Sequence, residues 1–521
     1  MSIMRQPNFL YIMTDQHRAD WLGCYGHPIV NTPNIDQIAQ QGAKFTNFHV
    51  ASPVCMPNRA SFLTGRMPSV HGLRYNGCYL SERANTFVDV LAAGGYRTAS
   101  FGKSHLQPFL ATPPLRAESN ESLLIEEAWR SGYLDPDQEQ PEHYAGAEKF
   151  NIRTPYYGFQ HVDMVTAHGD RCGGHYQQWF REQCADWQVM HDDSNQLSHN
   201  YSCPQAYRTP IPETLYPTRY IADRTVEWLQ NYQHHQPFFA FVTFPDPHHP
   251  FNPPGKYWDM YSPDEFDITL PFDEHKNPTP PMQWLTDNWR NGGKQLTQQT
   301  AMRVDNQHIK EAMALTAGMI TMVDDEVGRI VDALKATGQF DNTVIIFNSD
   351  HGDYLGDFNL LLKGPMPFKS ITRVPMLWSD PQSRSATSHS SLASTIDIAP
   401  SVLERAGLQP YRGVQGRSFL ATLRNSTPQR EDLLVEYNDG AVRLGLRSAA
   451  RVRSLHTVRW RYTVYGGESW GELYDLQNDS DETHNLWDSP AHQDTKAALS
   501  LQLNHQLIAQ MDESPVSTRL A

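Results

Sequence analysis

Short apolar runs alternate with helix-like segments along much of this 521-residue chain. The runs NFLYIM (8–13), PFFAFVTF (237–244) and NTVIIFNS (342–349) have the composition of buried strands, whereas 221–232 and a long stretch near 309–337 have helical periodicity. Alternation of strands and helices is typical of a mostly parallel α/β sheet. We therefore expect an α/β fold with a large, mostly parallel central sheet flanked by helices.

Two long segments interrupt this alternation, at about 106–217 and 251–308. Both are rich in Pro, Asn, Gln, His and aromatic residues and have no clean period. Segments of this length are rarely idle loops, so we interpret them as lids or substrate-binding insertions of a catalytic domain that covers 1–425. Short strand-like segments and a helix near 494–511 then predict a small C-terminal antiparallel subdomain over 426–521.

Charge and cysteine content exclude several classes of partner. A formal net charge of −15 argues against nucleic acid or an anionic membrane, because both need basic surfaces. No run of eighteen apolar residues predicts a membrane span, and a short polar leader before the first strand predicts no secretory signal. Six cysteines without CxxC spacing suggest neither a zinc ribbon nor a dithiol motif, so we expect reduced thiols and a cytoplasmic location.

Acidic residues follow two of the predicted strands directly. Asp15 comes after FLYIM, and Asp350 with His351 comes after VIIFNS in the tetrad DHGD. Ligands bind at the carboxyl ends of strands in open α/β sheets, and carboxylates suit hard cations. Each aspartate alone is equally typical of a helix cap or a turn. Together the two segments predict a metal site.

Cys55 lies in the string SPVCMPNRASFLTGR, where Pro57 indicates that a helix begins just after the cysteine. A side chain at that position faces free backbone N–H groups and the positive end of the helix dipole. That environment suits an anion or an activated nucleophile. A buried core cysteine beside an N-terminal turn is the alternative for an isolated Cys-Pro pair.

The complete string favours the nucleophile, because C-x-P-x-R-x-x-x-L-T-G-R resembles the signature of the sulfatase family, which has an alkaline-phosphatase-like fold. In that family the cysteine is oxidised by a formylglycine-generating enzyme to formylglycine (3-oxoalanine), whose hydrate is the nucleophile. Asn58 stands where the family usually has Ser or Ala. The matching residues are Cys55, Pro57, Arg59, Leu63, Thr64, Gly65 and Arg66.

Further segments match the family in the same order along the chain, including TDQ (14–16), GKSHL (102–106), PDPHHP (245–250), SDHGD (349–353), KGP (363–365) and ELYDLQNDSDETHNL (472–486). The resemblance implies one divalent ion, Ca²⁺ or Mn²⁺, held by Asp15, Gln16, the modified Cys55, Asp350 and His351. It places Arg59 beside the nucleophile. It assigns Lys103 and Lys363 to the sulfate oxygens or leaving group, His105 and His248 to proton transfer, and Asn76 to the substrate oxygens.

The resemblance therefore implies hydrolysis of small aryl or alkyl sulfate monoesters to an alcohol and inorganic sulfate. A phosphonate monoester or phosphodiester hydrolase is the main alternative, although such relatives have Tyr and Thr at the positions of Lys103 and His105. A catalytically silent metal-binding protein is a further alternative, and a homo-oligomer is left open. We expect the alcohol half to be recognised by the insertions, where His168, Trp179, Tyr257 and Trp258 are candidates for lid or subunit contacts.

Overall fold

The computed structural model describes residues 6–112, 136–293 and 300–519. Parts of both predicted insertions therefore lie outside the described residues. The strands are β1 Asn8–Thr14, β2 Ala43–Phe45, β3 Phe48–His49, β4 Arg97–Lys103, β5 His161–Thr166, β6 Gly173–Gly174, β7 Phe238–Thr243, β8 Met302–Arg303, β9 Thr343–Ser349, β10 Leu360–Leu361, β11 Met376–Ser379, β12 Thr387–His389, β13 Ala393–Ser394, β14 Asp432–Asn438, β15 Arg451–Thr457, β16 Trp460–Tyr465 and β17 Gly471–Asp475.

The helices alternate with these strands along most of the chain. They are α1 Pro33–Gln40, α2 Cys55–Thr64, α3 Pro68–His71, α4 Phe87–Ala93, α5 His175–Gln183, α6 Trp187–Met190, α7 Pro217–Gln230, α8 Pro280–Arg290, α9 Asn306–Ala336, α10 Lys369–Thr372, α11 Ile398–Ala406, α12 Leu420–Asn425 and α13 Gln493–Ala509. The long helix expected near 309–337 is α9.

A nine-stranded sheet forms the centre of the molecule, in the order β12-β2-β11-β9-β1-β7-β4-β5-β6. The five central strands β9, β1, β7, β4 and β5 run parallel, whereas β11 and β6 are antiparallel to their neighbours. The expected fold class, a mostly parallel sheet between helices, is confirmed. Parallel strands direct their carboxyl ends to one edge, which positions the functional site.

The central strand β1 shows why the sheet is buried on both faces. Every side chain from Phe9 to Met13 has no exposed surface. Leu10 and Ile12 pack in one core cluster with residues of α1, α7 and α9, while Phe9 and Tyr11 pack in a second cluster with α2, α4 and α11. Successive side chains of a strand point to opposite faces, so an unbroken apolar run is what two helical layers require.

The segment expected as the first insertion contributes to the sheet itself. Within 106–217, β5 pairs in parallel with β4, and β6 pairs antiparallel with the end of β5. The strand was missed because its sequence HVDMVT places an aspartate inside a short apolar run. Asp163 is nonetheless buried, since it pairs with Lys149 and His161 at the sheet edge.

Four antiparallel strands, β14 to β17, form a second sheet, and α13 contacts three of them. The segment HTVRWRYTVYG, which looks like one strand, turns between Thr457 and Trp460 and supplies parts of both β15 and β16. The small C-terminal antiparallel subdomain with its closing helix is thus present. Among the described residues no helix is both long and apolar enough to cross a membrane.

Candidate active site

Side chains from five parallel strands converge at the carboxyl edge of the central sheet. Each stands at the end of its strand or within a few residues of it, and nearly all are buried. They are Asp15 after β1, Lys103 at the end of β4, His168 after β5, His248 after β7, and Asp350 and His351 after β9. Convergence at this edge is a consequence of the parallel topology.

Helix α2 brings Cys55 to the same place, since the cysteine is its first residue. The preceding Val54 is extended, and Gly65 ends the helix with φ of 63°. All ten residues of α2 are buried. The first N–H groups of a helix are free of intrahelical partners and present positive charge, so the Cys55 side chain lies in an environment that favours anions.

Asn58, the departure from the family signature, has a defined structural role. Its Oδ1 accepts hydrogen bonds from the backbone N–H groups of Ala51 (3.0 Å) and Ser52 (3.3 Å), and its Nδ2 donates to the Asp350 carbonyl (2.6 Å). The side chain therefore connects the loop before Cys55 to the segment that contains the candidate metal ligands Asp350 and His351. Ser or Ala could not make all three contacts, because both side chains are too short.

Asp15, Cys55, Asp350 and His351 form a group whose potential ligand atoms all lie within 4.8 Å of one another. The Nε2 atom of His351 is 3.4 Å from Asp15 Oδ1, 3.7 Å from Asp350 Oδ1 and 3.0 Å from Cys55 Sγ. Separations of this size allow one cation to contact several of these atoms at ordinary bond lengths.

The two carboxylates each divide their oxygens between this group and a cationic side chain. Asp350 Oδ2 accepts from Arg59 Nε at 2.7 Å, and Asp15 Oδ2 accepts from the Lys103 ammonium and lies 3.5 Å from Arg59. Both Oδ1 atoms instead face His351, and Asp350 Oδ1 also accepts a hydrogen bond from the Gln16 N–H at 3.1 Å, which leaves it a second lone pair. Such an arrangement leaves one oxygen of each carboxylate for an ion while the other is held in place.

His351 is in the form that a metal ligand requires. Its Nδ1 lies 2.8 Å from the Gly352 carbonyl, so Nδ1 carries the proton and Nε2 presents its lone pair. Burial and the Lys363 charge lower the pKa of His351 to about 4. Burial alone would raise the pKa of Asp15, but Lys103 and Arg59 hold it well below its usual range. Burial and the Asp15 charge raise the pKa of the unmodified Cys55 thiol to about 11.

His168 completes the pocket on the side of Lys103, a role that the sequence did not reveal. Its Nε2 is 2.5 Å from Lys103 Nζ, and its ring stacks on that of His248 with centroids 3.6 Å apart. Its backbone position follows from β5, which delivers it to the active edge. The sequence predicts a lid or subunit contact for His168 because HVDMVT does not look like a strand. The signal that could have placed His168 in the site is β5 itself, which ends two residues earlier, at Thr166.

Lys363 and His248 form the opposite cationic wall. Lys363 Nζ lies 2.9 Å from His248 Nε2 and donates to Gln16 Oε1 at 2.8 Å. Gln16 also binds Asp353 through Nε2 at 2.5 Å and lies 3.2 Å from His249 Nδ1. Gln16, predicted as a metal ligand, is thus engaged as a link between Lys363 and the last aspartate of DHGD.

A second group of potential ligands, Asp15, Cys55, His168 and His248, shares two members with the first. Here the Lys103 ammonium already contacts both Asp15 Oδ2 and His168 Nε2. Two unit charges about 4 Å apart repel by about 4 kcal/mol at an effective dielectric constant near 20, and a divalent ion doubles that. The first group is therefore the better metal site.

His105 and Asn76 lie at the margin of this pocket. The His105 ring stacks on Phe109 at 4.1 Å and lies 6.3 Å from the His168 ring. Asn76 accepts a hydrogen bond from the Met56 N–H at 3.3 Å, beside the nucleophile position. All the side chains predicted for the site thus lie in one region, although their individual roles stay predictions.

A buried cysteine on a helix N-terminus, facing two carboxylates, an imidazole and two lysines at the edge of this sheet, is an arrangement suited to a hydrolase that acts on an anionic ester. Comparison with known protein families narrows the class of hydrolase. The sulfatase family model matches residues 7–408, and the C-terminal model of N-sulphoglucosamine sulphohydrolase matches 356–509. The chain belongs to the sulfatase family and is a sulfuric ester hydrolase.

Individual relatives agree with this assignment over nearly the whole chain. An arylsulfatase of Clostridium perfringens is 27% identical, covering 94% of this chain and 92% of that protein. A choline-sulfatase of Rhizobium meliloti is 25% identical, covering 93% and 83%. The phosphonate monoester hydrolase of Agrobacterium radiobacter has the same fold, with a TM-score of 0.76, 23% identity and coverage of 99% and 100%.

Proposed function

We propose that this protein hydrolyses sulfate monoesters of small aryl or alkyl alcohols, using a formylglycine made from Cys55 beside a divalent ion. The observation that carries the proposal is the contact of Cys55 Sγ with the ligand group, 3.0 Å from His351 Nε2 and 3.6 Å from Asp15 Oδ1. A nucleophile there is adjacent both to the ion site and to the two lysines.

Asp15, Asp350 and His351 would hold the ion, and the donor chemistry fits this role. When bound, the ion polarises a sulfate oxygen and lowers the pKa of a neighbouring hydroxyl. Two carboxylates with one imidazole nitrogen favour a borderline ion such as Mn²⁺, although Ca²⁺ also binds carboxylates. Arg59 maintains the carboxylate orientations through Asp350 Oδ2.

The nucleophile would be one hydroxyl of the hydrated aldehyde at position 55, formed by a formylglycine-generating enzyme. This hydroxyl attacks sulfur as the alcohol departs on the opposite side, leaving a sulfated residue 55. Loss of the proton from the remaining hydroxyl then expels sulfate and restores the aldehyde. His105 is our candidate for the base of that second step, because burial and Lys103 lower its pKa and keep the ring neutral.

Lys363 and His248 are the candidate acids for the departing alcohol. Their nitrogens are 2.9 Å apart, and His248 Nδ1 lies 2.6 Å from the His249 carbonyl, so Nδ1 carries the ring proton and Nε2 accepts from Lys363. Burial, together with His168, holds the pKa of His248 well below its usual range. The Lys363 ammonium is therefore the proton donor of this pair, and His248 positions it.

A substrate panel tests the proposed specificity. We expect a higher kcat/KM for sulfate monoesters than for phosphonate monoesters or phosphate diesters with the same leaving group. All three groups carry one negative charge near neutral pH, so charge does not separate them. A sulfate monoester offers three small oxygens to Lys103, Lys363 and the ion site, whereas the other substrates replace one oxygen with a bulkier group.

The controls in this panel are the protein with Cys55→Ala and the metal-free protein, which should both be inactive toward all three substrates. A clear preference for phosphonate monoesters or diesters would make the alternative activity correct. Lack of turnover by fully aldehyde-bearing, metal-loaded protein would favour the silent binding protein instead. A cytoplasmic location stays a prediction from the sequence, and a homo-oligomer stays an open alternative.

A further inference from the structure

Glu139 is a buried carboxylate that no step of the proposed reaction uses. It has no exposed surface, and no lysine, arginine or histidine of the described ranges lies within ion-pair distance of it. Charged side chains are almost never buried without partners, since removing a charge from water costs several kcal/mol. The residue therefore needs a reason for its position.

Three consecutive backbone N–H groups provide the partners of this carboxylate. Glu139 Oε2 accepts from His105 (3.0 Å), and Oε1 accepts from Leu106 (2.9 Å) and Gln107 (3.1 Å). The Tyr156 hydroxyl adds a fourth hydrogen bond to Oε1 at 2.7 Å. Successive N–H groups that point at one anion form a concave site, and the carboxylate occupies it.

The backbone of His105 explains why the loop needs such an anchor. Its φ is 57°, in the left-handed region that residues other than glycine adopt uncommonly. The unusual conformation turns the N–H groups of residues 105–107 toward Glu139. With the backbone in this conformation, the imidazole lies against Phe109 and its centroid is 6.3 Å from that of the pocket residue His168.

The imidazole of His105 has little else to hold it. Its Nδ1 is buried without a hydrogen-bond partner among the described residues, and its closest ring contact is the stack on Phe109 at 4.1 Å. Lys103, two residues earlier, is fixed separately, because its carbonyl accepts from Arg59 and its ammonium binds Asp15. The orientation of His105 thus depends on the backbone of its own loop.

We propose that Glu139 is a positioning residue that holds the 105–107 loop, with His105 in its left-handed conformation, and thereby keeps the His105 imidazole in the active site. The hydrogen bonds of Glu139 to the described residues all go to the 105–107 backbone and to Tyr156, so its influence on the site passes through the loop. Its effect on turnover rests on the proposed function, in which His105 takes a proton. Its effect on the loop conformation does not depend on the proposed function.

The test uses Glu139→Gln in a double-mutant cycle with His105→Ala. Glutamine offers a single oxygen, and its amide N–H₂ would oppose at least one of the three backbone donors. We expect kcat for a sulfate monoester to fall by about 10- to 100-fold with KM changed less than about threefold, since loss of a general base costs about 10²–10⁴ in rate. In the His105→Ala background the same substitution should change kcat by less than about threefold.

Glu142→Gln is the matched control, because Glu142 is an exposed glutamate three residues further along the chain. It should leave kcat and KM unchanged. Thermal unfolding of each variant identifies general loss of structure. Equal losses of kcat from Glu139→Gln in both backgrounds would show a role unrelated to His105 and overturn the proposal.

A crystal structure of the Glu139→Gln protein gives a readout that needs no activity. We expect His105 to leave its left-handed backbone conformation and its ring to lose the contact with Phe109. An unmoved loop would overturn the proposal whether or not the unmutated enzyme hydrolyses sulfate esters. Inactivity of the unmutated enzyme combined with a displaced loop would instead contradict only the proposed function.

Discussion

At the scale of single residues, the site is a small set of charges arranged around Cys55. Asp15 and Asp350 each place one oxygen near His351 and the other on Lys103 or Arg59. Charges held in place before the substrate arrives cost no reorganisation during the reaction.

We expect the protein produced with a formylglycine-generating enzyme to carry an aldehyde at position 55, measured by peptide mass spectrometry. Cys55→Ala should lower kcat by at least about a thousandfold, because covalent nucleophiles contribute at this level or above. Cys184→Ala is the control, since this half-buried cysteine follows α5 away from the site. Full activity with an unmodified thiol at position 55 would contradict the mechanism.

The combined substitution Lys103→Tyr and His105→Thr should erode the preference for sulfate monoesters over phosphonate monoesters. It removes a cationic donor and a proton-transfer group. A charge-assisted hydrogen bond is worth about 1.5–3 kcal/mol, or roughly tenfold to a hundredfold in rate if made only in the transition state. The measurement is the ratio of the two kcat/KM values, so a general loss of folded protein cancels. An unchanged ratio would remove both residues from sulfate selection.

At the scale of elements, α2 and the turn after β9 are joined through Asn58. Its three hydrogen bonds join the N–H groups of Ala51 and Ser52 to the Asp350 carbonyl. The Asn58 side chain itself has no exposed surface. The helix that begins at Cys55 and the turn that contains the candidate metal ligands Asp350 and His351 therefore share one side chain. A change at this position should affect stability and ion binding together.

Asn58→Ala should lower the free energy of unfolding by about 2–4 kcal/mol, because it leaves two buried N–H groups and one carbonyl without their partner. It should also weaken metal binding, since Asp350 loses a backbone contact. Denaturant unfolding and metal titration measure the two effects. Asn504→Ala, an exposed change on α13, should alter neither. A stable Asn58→Ala protein with normal ion affinity would show that Asn58 is dispensable.

At the scale of the whole molecule, a protein with a formal net charge of −15 builds a local cationic pocket for an anion. The pocket depends on Arg59, Lys103 and Lys363, which the parallel sheet and α2 bring into one buried volume. The neighbouring carboxylates repel each other unless cations lie beside them. Ion binding should therefore stabilise the folded chain as a unit.

Chelation should abolish turnover and lower the melting temperature, and Mn²⁺ or Ca²⁺ should restore both. A ligand at 100 times its Kd adds about 2.7 kcal/mol to the free energy of unfolding. Asp350→Asn should remove most of this gain, whereas Asp332→Asn, an exposed change on α9, should retain it. Gln16→Ala should have the smaller effect on ion affinity, because its side chain already binds Asp353 and Lys363. Equal activity in metal-free protein would exclude the ion from the mechanism.

Sequence alone was sufficient for the fold class and for the segments that reach the active edge. The alternation of apolar runs and helical periods predicted a parallel sheet, which is confirmed, because burial between two helical layers demands that pattern. The motifs around Asp15, Cys55 and Asp350 are local in the chain. Their residues could therefore be recognised without knowing where any distant segment lies.

Only the tertiary structure revealed the contacts between distant segments. His168 reaches Lys103 because β5 adds to the sheet, and β5 could not be recognised while its aspartate looked exposed. Glu139 reaches the loop at His105 across more than thirty positions of chain. The choice of which oxygen of Asp15 faces His351 likewise depends on Lys103 and Arg59. Such contacts depend on side-chain orientation and on the order of strands in the sheet, which local patterns do not encode.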